Sequence, residues 1–347
     1  MNWLGLDIGG ANLKAADGRG WACVMPFELW RNPTGLAAAL AELLRGAPIT
    51  YGLAITMTAE LCDCFPTKVD GVEQILTAVE HVAAKRETRV YLVDGRLVSI
   101  AEARIQPQFA AASNWHALAA YACQFVAAEA GILIDVGSTT TDIIPLVDGQ
   151  PSPIGYNDTD RLLAGELVYT GVGRTPVCAI VDWLPFRDKR CPVAAELFAT
   201  AADAHVILGQ LPERGDFTAT ADGRPLTKQH SRARLARMIC ADSSTFALSD
   251  AELAAAHVRE VQFSQLRIAL EKVVAKTHCP PSTCVLSGAG EFLSKSVIKE
   301  ALPATPIVSL AEKLGPAVSA AGPAHALAVL ATESKAAVRH SSPLAKS

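Results

Sequence analysis

The stretch 133–143 reads L-I-D-V-G-S-T-T-T-D-I and narrows the folds open to this chain more than any other. The apolar residues 131–134 lead into Asp135. Gly137 and the hydroxyl residues Ser138, Thr139, Thr140 and Thr141 follow, and Asp142 opens a second apolar run over 143–147. Short apolar runs bounded by glycine and small polar residues read as buried strands. The stretch therefore predicts strand, tight turn, strand, with a carboxylate on each side of the turn. Gly137 places no side chain between the backbone and a ligand. Backbone N–H groups and threonine hydroxyls in such a turn can cradle phosphate oxygens. Asp135 and Asp142 cannot bind phosphate themselves, but they can hold a divalent cation or orient a water.

The chain starts with the same design. Residues 3–14 read W-L-G-L-D-I-G-G-A-N-L-K, a strand into Asp7, then Gly9, Gly10 and Asn12, then Lys14. The turn Asp17-Gly18-Arg19-Gly20 leads into a third strand over 21–27, and the second copy has its turn at Asp148-Gly149. Two such units predict two related lobes facing one ligand. A third glycine loop, V-L-S-G-A-G-E-F at 285–292, follows an apolar strand and precedes a helical pattern. No G-x-x-x-x-G-K-[ST] string occurs, and neither Asp-Gly turn opens a helix as a dinucleotide fingerprint does.

Length and composition agree with two lobes. The 347 residues exceed one ordinary core, and half are apolar, so burial is ample. A formal net charge of −4 offers no general attraction to nucleic acid or to an anionic membrane. The nine cysteines are scattered through apolar segments, as expected for reduced thiols in the cytoplasm. No leader-like basic region precedes the first strand, and the most apolar long segment, 115–134, carries His116, Gln124 and Glu129.

Helices are expected over 36–44, 71–84, 193–204, 226–240 and 250–277, with strands at 49–55, 90–93 and 303–308. Ser113-Asn114 opens a helix over 115–129 that connects the lobes, and small residues over 315–330 form a second connecting helix. The division that follows is a first lobe at 1–112, a connecting helix at 113–130 and a second lobe at 131–314. That lobe carries a substrate insertion at about 155–250, and a second connecting helix at 315–332 precedes a disordered tail at 333–347.

Several polar groups stand apart from the hairpins. Glu60, Asp63 and Lys68 follow the strand at 49–55 and are expected substrate contacts. Cys62 and Cys64 lack the second pair that a zinc site needs. Asp158, Asp160, Arg161 and Glu166 fall around a short helix, and Arg174 lies in a glycine-bounded loop. Arginine makes two parallel bonds to a phosphate or carboxylate, so Arg161 and Arg174 suit an anionic substrate group. The basic cluster Lys228, His230, Arg232, Arg234 and Arg237 reads as a solvated face or, less simply, as a diphosphate contact.

These residues resemble a known superfamily. Asp7-Ile8-Gly9-Gly10 resembles the first phosphate motif of the actin, hexokinase and Hsp70-type ATPases, and Asp135-Val136-Gly137 with Asp142 resembles the second. Ser287-Gly288-Ala289-Gly290, followed by Glu291, resembles the adenosine motif. One such motif is more often just a hairpin glycine, but three in order argue for the fold. The resemblance implies an α/β, two-lobed, ribonuclease H-like fold with a nucleotide or phosphate cleft between the lobes. The whole chain is similar to the hydantoinase A/oxoprolinase group. The stretches 57–65, 158–177, 191–203 and 224–242 are closer to a subgroup linked to tetrahydromethanopterin C1 metabolism.

That subgroup implies a transferase of methanofuran or methylofuran assembly. It would couple an aminomethylfuran diphosphate to the phenol of a (glutamyl)tyramine acceptor and release diphosphate. On this reading Asp7 and Asp135 hold Mg²⁺, Lys14 adds a fixed charge, and Asp142 is the candidate base. Gly9, Gly10, Asn12, Gly137, Ser138, Thr139, Thr140, Gly288, Gly290 and Glu291 bind phosphate or nucleotide. The wider group implies an ATP-dependent kinase or a cyclic-amide hydrolase instead, and a nucleotide sensor is a third reading. The expected partners are small-molecule diphosphates and aromatic amines or phenols, with no nucleic acid and no membrane; a monomer and a homodimer both stay open.

Overall fold

The computed structural model describes residues 2–126 and 130–340, the side chains of 335–340 excepted. Lobe one is built on a sheet of β1 (Trp3–Ile8), β2 (Asn12–Ala16), β3 (Ala22–Pro26), β4 (Gly52–Met57), β5 (Glu87–Tyr91) and β6 (Leu97–Val98). Lobe two contributes β7 (Ala130–Val136), β8 (Thr141–Val147), β9 (Gln150–Pro151) and β10 (Leu167–Val168). It adds a separate hairpin of β11 (Trp183–Phe186) and β12 (Lys189–Pro192), then β13 (Cys284–Ser287) and β14 (Ile307–Ser309).

The two sheets share one plan. Their orders are β3-β2-β1-β4-β5-β6 and β10-β8-β7-β13-β14. In each, a leading strand pairs antiparallel with the next strand on one side and parallel with a later strand on the other. A further parallel strand follows in both, β5 beside β4 and β14 beside β13. This is the two-lobed, ribonuclease H-like α/β arrangement.

Both faces of each sheet are covered, which is why the leading strands are continuous apolar runs rather than alternating ones. In lobe one, Leu6, Ile8, Leu53 and Ile55 pack beneath two amphipathic helices, Leu36–Arg45 and Lys68–Ala83. The second helix buries Val72, Ile75, Leu76 and Val79, the spacing of a single helical stripe. In lobe two, Ile132, Ile134 and Val136 face Leu266, Leu270 and Val273 of the helix Leu248–Val274. Leu133, on the opposite side of the strand, faces Trp115, Leu118 and Ala326.

Between the sheets lie the helices Asn114–Ala122 and Gly322–His340. Ala117, Leu327 and Ala331 pack on Trp3, Ala54 and Tyr91 of lobe one, while Leu118 and Ala326 pack on lobe two. The backbone of the last helix comes so near β1 that a side chain at Gly5 would sit 1.9 Å from the Ala324 carbonyl oxygen.

The insertion has its own core. Val177, Leu184, Ala204, Leu235 and Phe246 surround Ala251, Ala254 and Val258, on the N-terminal part of the same long helix that covers β7. One helix thus ties the insertion to the lobe-two sheet.

Several sequence expectations need correction. Residues 193–200 are not helical. Val193 N–H donates to the Asp182 carbonyl and Ala194 N–H to the Met238 carbonyl, so tertiary bonds take the donors a helix leaves free. The helix begins at Ala201, behind a capping box of Thr200 and Asp203. The connecting helix at 115–129 ends at Ala122, followed by a tighter turn over Cys123–Phe125; residues 127–129 lie outside the described residues. The second connecting helix is two pieces, Pro316–Ala320 and Gly322–His340, broken at Ala321. The expected disordered tail is helical through His340, and 341–347 lie outside the described residues. Among the described residues, no helix is long and apolar enough to cross a membrane.

Candidate functional site

The two hairpins face each other across a cleft of about 400 Å³. Asp7, Gly9, Gly10, Asn12 and Lys14 line it from lobe one, and Asp135, Gly137, Ser138, Thr139, Thr140 and Asp142 from lobe two. Both turns close alike: Gly9 N–H donates to the Asn12 carbonyl at 3.0 Å, and Gly137 N–H to the Thr140 carbonyl at 2.9 Å. Across the hairpins, Asp7 pairs with Lys14 and Asp135 with Asp142. A larger groove of about 1210 Å³ between Tyr91, His116 and Leu330 shares no lining residue with this cleft.

The charges in the cleft are unevenly paired. Lys14 Nζ lies 3.3 Å from Asp7 Oδ2, while Asp7 Oδ1 is buried without a hydrogen-bond partner among the described residues. Asp135 is pushed up to about 7 by desolvation at the cleft floor and by nearby Asp142; Lys14 and the Ser287 hydroxyl pull it down. Two crowded carboxylates, one with an orphaned oxygen, fit a Mg²⁺ ion, which takes one or two carboxylates and fills its remaining positions with water and phosphate oxygens.

Asp142 is committed elsewhere. Arg161, fully buried, bonds it through Nη2, reaches Asp158 at 3.5 Å, and lies with its guanidinium 4.0 Å from the Trp115 ring centroid. Asp158 in turn accepts from Lys68 at 3.3 Å. The chain Lys68–Asp158–Arg161–Asp142 therefore joins lobe one to lobe two. Arg161 is a strut of the cleft wall rather than a free anion ligand.

Arg174 is exposed. Its Nε and Nη2 both lie 3.0 Å from Thr139 Oγ1, and it sits 5.9 Å from the ring of Trp30, across the cleft. Its loop is fastened to the second hairpin by Val172 N–H to the Gly137 carbonyl and Gly173 N–H to the Ser138 carbonyl. Glu60 and Asp63 also line the cleft.

Other expected site residues lie elsewhere. Glu166 is buried and accepts from the N–H groups of Ile154 and Gly155, so it holds a loop. Asp160 caps a helix with Asn157 and is exposed. Glu291 accepts from the Ser309 hydroxyl and Ala311 N–H, tying the end of β14 to the helix Glu291–Ala301. Gly288 and Gly290 lie behind the second hairpin: a side chain at Gly288 would meet Asp135 Oδ1 at 2.6 Å. Of the basic cluster, Arg234 is neither solvated nor in the cleft; it is fully buried against Asp203 and Asp222. The sequence reading missed Trp30, Trp115 and Tyr169 as cleft residues. Their only sequence signal is an isolated aromatic, which core packing explains equally well.

With this geometry in place, the comparisons with known proteins bear on one family. The hydantoinase/oxoprolinase family profile matches residues 52–333. The chain belongs to the hydantoinase/oxoprolinase family. Within it, the chain is 35% identical over 332 residues to (4-{4-[2-(gamma-L-glutamylamino)ethyl]phenoxymethyl}furan-2-yl)methanamine synthase of Methanocaldococcus jannaschii. That match covers 94% of this chain and 96% of the relative. A protein of the same name from Methanococcus vannielii is 31% identical over 201 residues, 57% of this chain and 89% of that one. Among solved structures, the chain is similar to ROK hexokinase from Thermus thermophilus, with a TM-score of 0.46 and 16% identity over 96% of this chain and 100% of that one. The activator of 2-hydroxyisocaproyl-CoA dehydratase from Clostridium difficile gives a TM-score of 0.45 and 12% identity over the full length of both chains. The family match includes Glu60, the second hairpin and the whole insertion, and starts after the first hairpin.

Proposed function

We propose that this family member is a transferase of methanofuran-type cofactor assembly. It displaces diphosphate from an aminomethylfuran-methyl diphosphate with the phenol of a (glutamyl)tyramine acceptor, forming an aryl ether. The observation that carries this reading is the 35% identity to the methanofuran-pathway synthase over nearly the full length of both chains.

The cleft supplies what that reaction needs. Diphosphate is a poor leaving group unless its developing charge meets fixed positive partners, and donors already in place cost no reorganisation. In this reading Gly9 and Gly137 close the turns and keep them free of side chains, and the hairpin N–H groups at Gly10, Asn12 and Ser138 and the hydroxyls of Thr139 and Thr140 receive the diphosphate. Lys14 and Arg174 carry the fixed charge on opposite lobes. Mg²⁺, held by Asp7 and Asp135, would supply further charge neutralisation for the departing oxygens. Trp30, Trp115 and Tyr169 give the aromatic substrates apolar walls. Closing those walls keeps water from the electrophilic furanylmethyl carbon. Asp142 keeps Arg161 in place and through it the joint between the lobes.

A second reading, ATP-dependent phosphoryl transfer or cyclic-amide cleavage, draws on the glycine loop that carries Ser287 and Gly288 beside Asp135. Parallel incubations with Mg²⁺ separate the two: furanylmethyl diphosphate plus tyramine acceptor in one, ATP plus acceptor in the other. The transferase reading expects free diphosphate and an aryl ether in equal amounts from the first. ADP formed in step with product would reject it.

A further inference from the structure

We propose that Glu60 is the base that takes the proton from the acceptor phenol, a role that rests on the transferase reading above. Glu60 follows β4 and lines the cleft, yet its side chain is 1% exposed and neither carboxylate oxygen has a hydrogen-bond partner among the described residues. The N–H groups of Glu60 itself and of Ala112 face the carboxylate without reaching hydrogen-bond geometry. An unpartnered buried carboxylate is costly, so a fold retains one mainly where a ligand completes it.

Three of the other cleft carboxylates are engaged in ion pairs. Asp7 is paired with Lys14, Asp142 with Arg161, and Asp158 with both Lys68 and Arg161. Asp135 stands at the phosphate end, between the hairpin and Ser287. Asp63 lines the mouth of the cleft. Glu60 is held in place from behind, because the helix that starts at Lys68 packs on its backbone. A side chain at Gly71 would lie 2.5 Å from the Glu60 carbonyl oxygen.

The groups facing Glu60 are Asp158 from the lobe-two helix, Lys68 from the lobe-one helix, and Cys62 from its own loop. Burial dominates, and with Asp158 it pushes the carboxyl up to about 7; Lys68 opposes them. Such a base is ionised just above neutrality and holds a proton better than an ordinary carboxylate, the match a proton acceptor needs. The step balances within the two substrates. The phenolic O–H bond breaks and its proton passes to a Glu60 oxygen. The phenol oxygen forms a bond to the furan methylene carbon, and the C–O bond to diphosphate breaks, its electron pair leaving with the diphosphate.

The test compares wild type, Glu60→Gln and Glu60→Asp across pH 5.5 to 9, with tyramine and with a ring-fluorinated tyramine of more acidic phenol. The wild-type kcat/KM should rise through an inflection near 7. Glu60→Gln should lose about a hundredfold or more in kcat and lose that inflection, and the deficit should shrink with the acidic phenol. Glu60→Asp should restore part of the rate and the inflection. Thermal melts of Glu60→Gln at or above the wild-type temperature at pH 8 would confirm an intact fold. Active wild type with an unchanged pH profile in Glu60→Gln overturns the base while leaving the transferase reading intact. So does a variant that raises only KM. Wild type that forms no ether under any condition overturns both.

Discussion

Lys14 and Asp142 occupy the same place in the two hairpins. Each stands opposite the aspartate that ends its leading strand, Asp7 for Lys14 and Asp135 for Asp142. One hairpin thus faces the cleft with an ion pair and the other with two carboxylates. Arg161 comes from the insertion to neutralise Asp142 of the second pair, while Lys14 and the Ser287 hydroxyl ease Asp135. The duplication supplies the frame, and the break in its charge symmetry decides what each half can hold.

On the proposed reading, Asp135→Asn should remove one of the two carboxylates that would hold Mg²⁺. Turnover at ordinary Mg²⁺ should fall at least a hundredfold, on the order expected for losing one charged contact to a transition state. The melting temperature should hold or rise, since a crowded, desolvated carboxylate is lost. Steady-state assays across Mg²⁺ concentrations with parallel melts decide it, and full activity would remove Asp135 from the site.

Arg174→Ala should separate binding from folding. The side chain is exposed; among the described residues it hydrogen-bonds Thr139 and lies over the Trp30 ring. Its loss should lower kcat for coupling by about 10- to 100-fold and raise the fraction of donor hydrolysed, with no change in melting temperature. Arg174→Lys should recover little, because lysine cannot present a planar fork. Product ratios by chromatography give the answer.

Arg161→Ala is expected to be a folding defect first. Asp142 would be left without its partner in the cleft wall, a loss of about 3–5 kcal/mol for broken buried pairs. Urea unfolding should show it, and Arg161→Ala with Asp142→Asn should recover part of the loss. An undiminished midpoint in the single variant would contradict the strut.

His116 sets a pH dependence of stability. It is buried beneath Tyr91, whose hydroxyl lies 2.9 Å from Nδ1. Desolvation lowers its imidazole to about 4, with Arg161 adding to the lowering and Asp94 opposing it. Because the folded value lies below the ordinary one, the unfolded chain takes the proton first. The contribution is complete above about 6.5 and is lost as pH falls toward 4. Between pH 7 and 4.5 wild type should lose about 2–3 kcal/mol that His116→Gln does not. Urea titrations at both pH values measure the difference.

Gly288→Ala should disturb the second hairpin from behind. Its φ of +87° is a left-handed setting, and a methyl there would meet the Val136 carbonyl at 2.3 Å and Asp135 Oδ1 at 2.6 Å. Stability should fall by about 1–3 kcal/mol, the usual range for overpacking, and kcat should fall with it. A variant with unchanged melting and unchanged turnover would show that the approach can relax at no cost.

The sequence by itself determined the two hairpins, their aspartates and glycines, and hence the paired lobes. Strand–turn–strand signals are local: apolar runs, a glycine and a polar turn lie within a few residues of one another. What it could not determine was the use of groups whose partners are distant in the chain. Arg161 and Arg174 look alike in sequence, yet one is buried against Asp142 and Trp115 while the other reaches Thr139 and Trp30. Glu166 and Glu291 read as site carboxylates and became loop and strand ties. Arg234 read as surface and is buried between two aspartates. Glu60 was legible as a cleft contact, but only the tertiary structure left both its oxygens buried and, among the described residues, unpartnered. Burial and partner choice depend on how the insertion folds back over the hairpin, and no local pattern encodes that approach.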